Sequence, residues 1–153
     1  MESDQLVEDL FDLWRWLRNM SYSIRENEVT PQQSWLLHQL RRRGKLTISE
    51  VATALGVSQS SATTACKRLE LAGWVTRSRR ANDERVVEVS LTEAGNAKVE
   101  SWRRRRRQAV ADLLAPLRAE DRDELQRLVE RVLVLAETSS GAQTLEPFDA
   151  AVS

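Results

Sequence analysis

The stretch "TISEVATALGVSQSSATTACKRLELAG", Thr47 to Gly73, decides the fold. Thr47 followed three residues later by Glu50 is a capping box, in which hydroxyl and carboxylate each satisfy a free backbone N–H at a helix start. Gly56 stands where that helix would end after about two turns, since glycine takes the left-handed C-cap conformation without strain. Ser58 is the next cap, and the helix it opens runs to Gly73. Two short helices separated by about three residues around a glycine are the sequence form of a helix-turn-helix. At about 100° per residue, Ala62, Cys66 and Leu69 share one side of the second helix, with Ala65 and Ala72 beside them, and this side is expected to pack inward. The opposite side presents Ser60, Thr63, Thr64, Lys67 and Arg68. Leu71 also points outward, and the segment that follows is expected to cover it.

That segment changes period. After Gly73, Val75 and Arg77, and then Val87, Val89 and Leu91, alternate with polar neighbours, and "RRANDE" (79–84) supplies turn residues, so a charged hairpin is expected. Thr92 is placed to cap a long helix through Trp102, Ala109, Leu113 and Leu114 toward Pro116. Upstream, "TPQQSWLLHQLRRRG" predicts a helix from Pro31 to Arg43, with Thr30 as N-cap, Gln33 completing a capping box and Gly44 after the end. From Gln5 to Arg25 a broad apolar stripe (Leu6, Leu10, Leu13, Leu17, with Val7, Phe11 and Trp14 alongside) marks a helix buried along one side. A last helix carries Leu125, Leu128, Val132 and Leu135, with Asp121 and Glu124 as its expected cap pair. The tail, 138–153, has no sustained period and is expected to be mobile.

The fold class implied is mainly α with one small β element (α+β): a winged helix-turn-helix over 31–92, flanked by helices over 5–25 and 93–137. Its physics suits duplex DNA. The second helix of the pair has the thickness to enter a major groove with the side chains near its N-terminus against base edges. Gln59, Ser60, Thr63 and Thr64 are placed for that, while Lys67 and Arg68 would neutralise phosphates. The hairpin can put an Arg into a narrow minor groove. Arg85 is the candidate, with Arg77, Arg79 and Arg80 close by. Asp83, an acid in a loop meant for a polyanion, makes sense if it accepts hydrogen bonds from Arg77 or Arg85 and so fixes that residue's direction.

Composition agrees. Of 153 residues, 23 are Lys or Arg and 23 Asp or Glu, but from Arg41 to Arg107 the count is 16 against 7. A basic middle between acidic ends suits a polyanionic partner. The longest apolar runs are far too short for a membrane span and the N-terminus is acidic, which points to a cytoplasmic protein without membrane association. One Cys and one His exclude a disulfide and a structural zinc site, and no metal or cofactor is expected. There is no Gly-rich phosphate loop and no nucleophile with a base, so the chain is not read as an enzyme.

The segment "LTISEVATALGVSQSSATTACKRLELAGWVTRSRRANDERVVEVSLTEAG", about a third of the chain, closely resembles the MarR family of bacterial winged-helix regulators. The helix pattern extends the likeness from Gln5 to Glu137, and Asp83, Glu84 and Arg85 followed by "LTEAG" form the family's wing motif. The resemblance implies a homodimer formed by the first and the last two helices, bound to a pseudo-palindromic operator and repressing its own or neighbouring genes. It also implies release from DNA by a small aromatic or anionic ligand, for which Trp14, Trp35 and His38 are the candidate pocket. The plainer reading of those three is core packing. Oxidant-sensing relatives carry their reactive cysteine in the first helix, which has none here, so Cys66 is read as inert core. Arg103 to Arg107 spread around a helix and are read as interhelix partners for acidic residues of the first and last helices. The alternative function is a winged helix that binds protein and not DNA.

Overall fold

The structure is a computed structural model that describes residues 2–25 and 29–139. Its elements are α1 (Glu2–Arg25), α2 (Pro31–Arg43), β1 (Lys45–Thr47), α3 (Ile48–Leu55), α4 (Gln59–Leu71), β2 (Val75–Arg80), β3 (Asp83–Leu91), α5 (Glu93–Leu114) and α6 (Ala119–Ser139). It is a mostly helical winged-helix chain. Helix boundaries fall where capping chemistry puts them: the Thr30–Gln33 and Thr47–Glu50 boxes both close, and Gly56 ends α3 at φ 67° and ψ 34°. Ser58 caps α4 by accepting from the Ser61 N–H. Thr92 Oγ1 accepts from the Gly95 N–H at 3.0 Å to start α5, and donates to the Gly73 carbonyl at 2.6 Å.

The strands form one antiparallel sheet in the order β1-β3-β2. Leu46 pairs with Val89 and Arg77 pairs with Val89 from the other side, with a register shift between Arg79 and Arg80 near the tip. The sequence pattern implies only the hairpin. β1 has three residues, too few for alternation to register, and reads as the approach to the Thr47 cap.

Three other expectations are corrected. Leu71 is not covered by the hairpin: it is 88% exposed, because the chain leaves α4 through Gly73 and runs away from that face. Ala72 is also exposed, being the C-cap and no longer part of the inward stripe. At the last helix, Asp121 and Glu124 are not the cap pair, since α6 begins at Ala119, and Asp121 instead accepts from Arg118 at 2.9 and 3.0 Å. The tail from residue 140 onward lies outside the described residues, while Thr138 and Ser139 still belong to α6.

The core joins Leu36, Leu37 and Leu40 of α2, Val51 of α3, Ala62, Cys66 and Leu69 of α4, and Val75 and Val89 of the sheet. Val99 and Trp102 bring the first half of α5 into the same buried set. The chain divides into two compact units, one reaching to Arg106 and the other starting at Arg107. Among the described residues, no helix is long and apolar enough to cross a membrane.

Candidate nucleic-acid interface

The inward stripe of α4 settles what its other face shows. With Ala62, Cys66 and Leu69 buried, Gln59, Ser60, Thr64, Lys67 and Arg68 are exposed and Thr63 is half-buried. The Gln59 carboxamide donates through Nε2 to Ser49 Oγ of α3 at 2.9 Å, which limits its swing while leaving Oε1 and one hydrogen for a base edge. Thr64 donates its hydroxyl hydrogen to the Ser60 carbonyl at 3.0 Å, so toward a ligand it is an acceptor.

On the hairpin, the side chain of Arg85 is 93% exposed. Asp83 accepts from the Arg85 backbone N–H at 3.1 Å and from its Nε at 3.3 Å, so the carboxylate grips this residue by main chain and side chain. Of the two arginines considered for Asp83, this structure pairs Arg85. Arg77 goes elsewhere: its Nη2 and Nε donate to Glu70 Oε1 at 3.0 and 3.3 Å, and its backbone N–H to Glu70 Oε2 at 3.2 Å. Hydrogen bonds from Arg77 hold the Glu70 carboxyl below its usual range. Arg79 donates to the Glu84 carbonyl at 2.7 Å, and Arg80 to Glu88 Oε1 at 2.8 Å. The Arg80 bond is the main reason the Glu88 carboxyl is held down, with Lys45 adding at 3.9 Å. Four hairpin arginines thus have four different acceptors, and the Arg85 side chain is far more open than those of Arg77 and Arg80.

Sequence reasoning named the cations but missed Glu70, Glu88 and Ser49. The one signal available was opposite charge on either side of the Gly73 turn, which says nothing until the turn's direction is known.

The other singled-out residues fall as follows. Trp14, half exposed on α1, lines an apolar hollow with Val7, Leu10 and Phe11 and carries the Arg18 guanidinium 4.4 Å above its ring. Trp35 and His38 are not in that lining. His38 stacks on Trp102 with centroids 6.2 Å apart, Trp74 meets the same Trp102 edge-on at 6.3 Å, and His38 Nδ1 lies 2.8 Å from the Ser34 carbonyl. Cys66 is buried, and burial pushes its thiol pKa up to about 11. Arg41 ties α2 to α5 through Glu100 at 2.7 Å and through Asn96. Arg103 meets Glu100 of its own helix at 3.7 Å, and Arg104 to Arg107 are exposed. Among the described residues, no group of three His, Cys, Asp or Glu could hold a metal ion.

A family model described as MarR family matches residues 28–86. The chain is similar to the HTH-type transcriptional repressor MdtR of Bacillus subtilis, with 31% identity over 119 residues, 78% of this chain and 77% of that one. Among solved structures it is similar to the transcriptional regulator Tm0710 of Thermotoga maritima, with TM-score 0.83 and 22% identity over 92% of this chain and 99% of that one. A mutant of S. aureus MepR solved with a bound oligodeoxyribonucleotide shares the fold at TM-score 0.68 and 20% identity, over 85% and 97% of the two chains.

Proposed function

Because the chain belongs to the MarR family, we propose that it is a homodimeric transcriptional repressor that binds a pseudo-palindromic duplex operator. The observation that carries this reading is the presentation of Arg85: almost fully exposed at the hairpin and held at its base by Asp83, in the same compact unit as the hydroxyl and cationic face of α4. A guanidinium steered by a carboxylate is of no use to the fold and of direct use to a minor groove. In this reading α4 lies in the major groove, where Gln59, Ser60, Thr63 and Thr64 meet base edges and Lys67 and Arg68 meet phosphates. Arg85 enters the adjacent minor groove, with Arg79 and Arg80 behind it. The oligodeoxyribonucleotide bound to the MepR mutant supports this use of the fold.

The 31–92 segment is the DNA-binding part, and the helices over 5–25 and 93–137 are the dimerisation part. Their support is the apolar surface they expose, including Leu10, Phe11 and Trp14 on α1, and Leu128, Val132 and Leu133 on α6. Release by a small aromatic or anionic effector near Trp14, Trp35 and His38 belongs to the same proposal and is carried by family membership. Its test is effector-dependent quenching of tryptophan fluorescence with matching loss of bound DNA.

The experiment that tests the whole is a mobility shift with the DNA upstream of the protein's own gene against a scrambled duplex of equal length. Preference for the upstream duplex supports the repressor reading. Equal, weak retardation of both would favour a protein-binding role for the winged helix.

A further inference from the structure

We propose that Glu70 is a positioning residue for DNA binding: it locks the base of the wing to the end of α4, and Arg77 is the other half of the lock, not a phosphate contact. The inference rests on the reading of α4 and the hairpin as a DNA-binding pair and adds what sets the angle between them.

The need for a lock follows from topology. β1 pairs only from Lys45 with Ser90 to Thr47 with Glu88, so beyond Glu88 the hairpin is a two-stranded ribbon, which has little stability or fixed direction of its own. Its aim is set at the base. On the β3 side, β1 holds it. β2 is the outer strand, and among the described residues no strand lies beyond it. Glu70 fills that role on the open side, accepting both the Arg77 backbone N–H and two nitrogens of its guanidinium at 3.0 to 3.3 Å. A carboxylate that grips main chain and side chain together fixes a strand's position as well as a side chain's. The link between α4 and β2 is short and also held: the Gly73 N–H donates to the Glu70 carbonyl at 2.9 Å and the Trp74 N–H to the Leu69 carbonyl at 3.0 Å. Arg77 spends its Nε and Nη2 on Glu70 and is three-quarters buried, whereas Arg85 is open. A phosphate contact through the same Nε–Nη2 edge would have to break this pair.

The lock and plain electrostatics predict opposite signs. Removing a carboxylate from a DNA-facing helix should tighten binding to a polyanion. Removing a lock should weaken it. Anisotropy titrations of the upstream duplex at fixed salt would compare the full chain with Glu70→Gln, Arg85→Ala, the double variant and Arg77→Lys. The expected result is a loss of about tenfold for each of the first two, with the double variant little worse than the weaker single, because a misdirected wing has already forfeited the Arg85 contact. Arg77→Lys, which keeps the charge but not the planar grip, should lose nearly as much as Glu70→Gln.

Glu70→Gln binding as tightly as wild type or tighter, a double variant whose loss is the product of the singles, or Arg77→Lys behaving as wild type would each overturn the lock. Thermal melts accompany the titrations, and if Glu70→Gln melts early the Arg77→Lys comparison decides. If wild type and Arg85→Ala alike show no preference for the upstream duplex, the DNA-binding reading falls first, and the lock with it.

Discussion

Arg85 and Asp83 meet at the hairpin through one 3.3 Å side-chain contact, and the arginine is almost wholly in water. Exposed ion pairs of this kind contribute roughly 0–1 kcal/mol to folding, so Arg85→Ala should leave helicity and melting temperature nearly unchanged. The same change should weaken operator binding about tenfold, the value of a good groove contact. Titration of the variant against the operator checks this, and equal affinity would sink the minor-groove role. Cys66 makes the opposite case, a residue with chemistry and no access to it. Its thiol is fully buried and its pKa is raised from 9.0 to about 11, first by loss of water and then by Glu70, with Arg77 pulling the other way. The sign follows from proton counting: between pH 9 and 11 the unfolded chain has lost the proton that the folded chain keeps, so stability is flat below pH 9 and falls above it. In the native protein at pH 8, Cys66 should therefore react with a thiol reagent only as fast as the core opens. Rapid labelling without denaturant would show that the thiol is reachable and the redox reading alive.

Every helix from α2 to α4 could be placed from its caps, because a capping box or a Ser N-cap is a local arrangement between side chain and backbone that needs nothing distant. Thr30, Thr47, Ser58 and Thr92 all do in the structure what their spacing implies. What failed to read was tertiary. β1 is a strand only because β3 lies beside it, Leu71 is bare because of the direction in which Gly73 turns the chain, and Glu70 matters only once β2 is known to be an edge. At α6 the local rule itself misled: Asp121 and Glu124 have cap-like spacing, yet the helix has already begun at Ala119, and Asp121 serves Arg118 as a surface partner. The candidate site divides in the same way. The cations of α4 and the hairpin were visible as letters, but which of them are spent on partners was not. Gly95 gives the element-scale prediction. It is buried where α5 starts against the entry to β2, and a Cβ there would lie 1.9 Å from the Trp74 carbonyl oxygen, which is itself bonded to the Thr92 N–H at 3.0 Å. Since the obstacle is backbone, Gly95→Ala should cost at least about 2 kcal/mol, read as a lower denaturant midpoint with unchanged slope. A variant as stable as wild type would mean that α5 can slide away from the sheet freely.

On the scale of the whole chain, zero net charge conceals the basic span from Arg41 to Arg107, and this span should make binding strongly dependent on salt. If six to ten phosphates are neutralised per complex, affinity should fall by roughly a thousandfold or more between about 50 and 200 mM salt, and a flat response would favour a protein partner. The apolar surface is as unevenly placed as the charge. Leu6, Leu10, Phe11 and Trp14 of α1 are each about half exposed, α6 buries none of its residues, and four successive apolar side chains from Val132 to Leu135 face water. A surface helix of a monomer shows one apolar stripe turned inward, and apolar surface on this scale in water marks an interface. If that interface is with a second copy, folding and assembly are linked, so the melting temperature should rise with protein concentration by mass action. Leu128→Glu, which puts a charge into the covered face, should give a less stable chain that sediments as a monomer. It should also lose operator binding, although residue 128 is on neither α4 nor the hairpin, because one protomer can hold only one half-site. Sedimentation of the wild-type chain as a stable monomer at micromolar concentration, with a melting temperature independent of concentration, would rule the dimer out and leave these faces to a different partner.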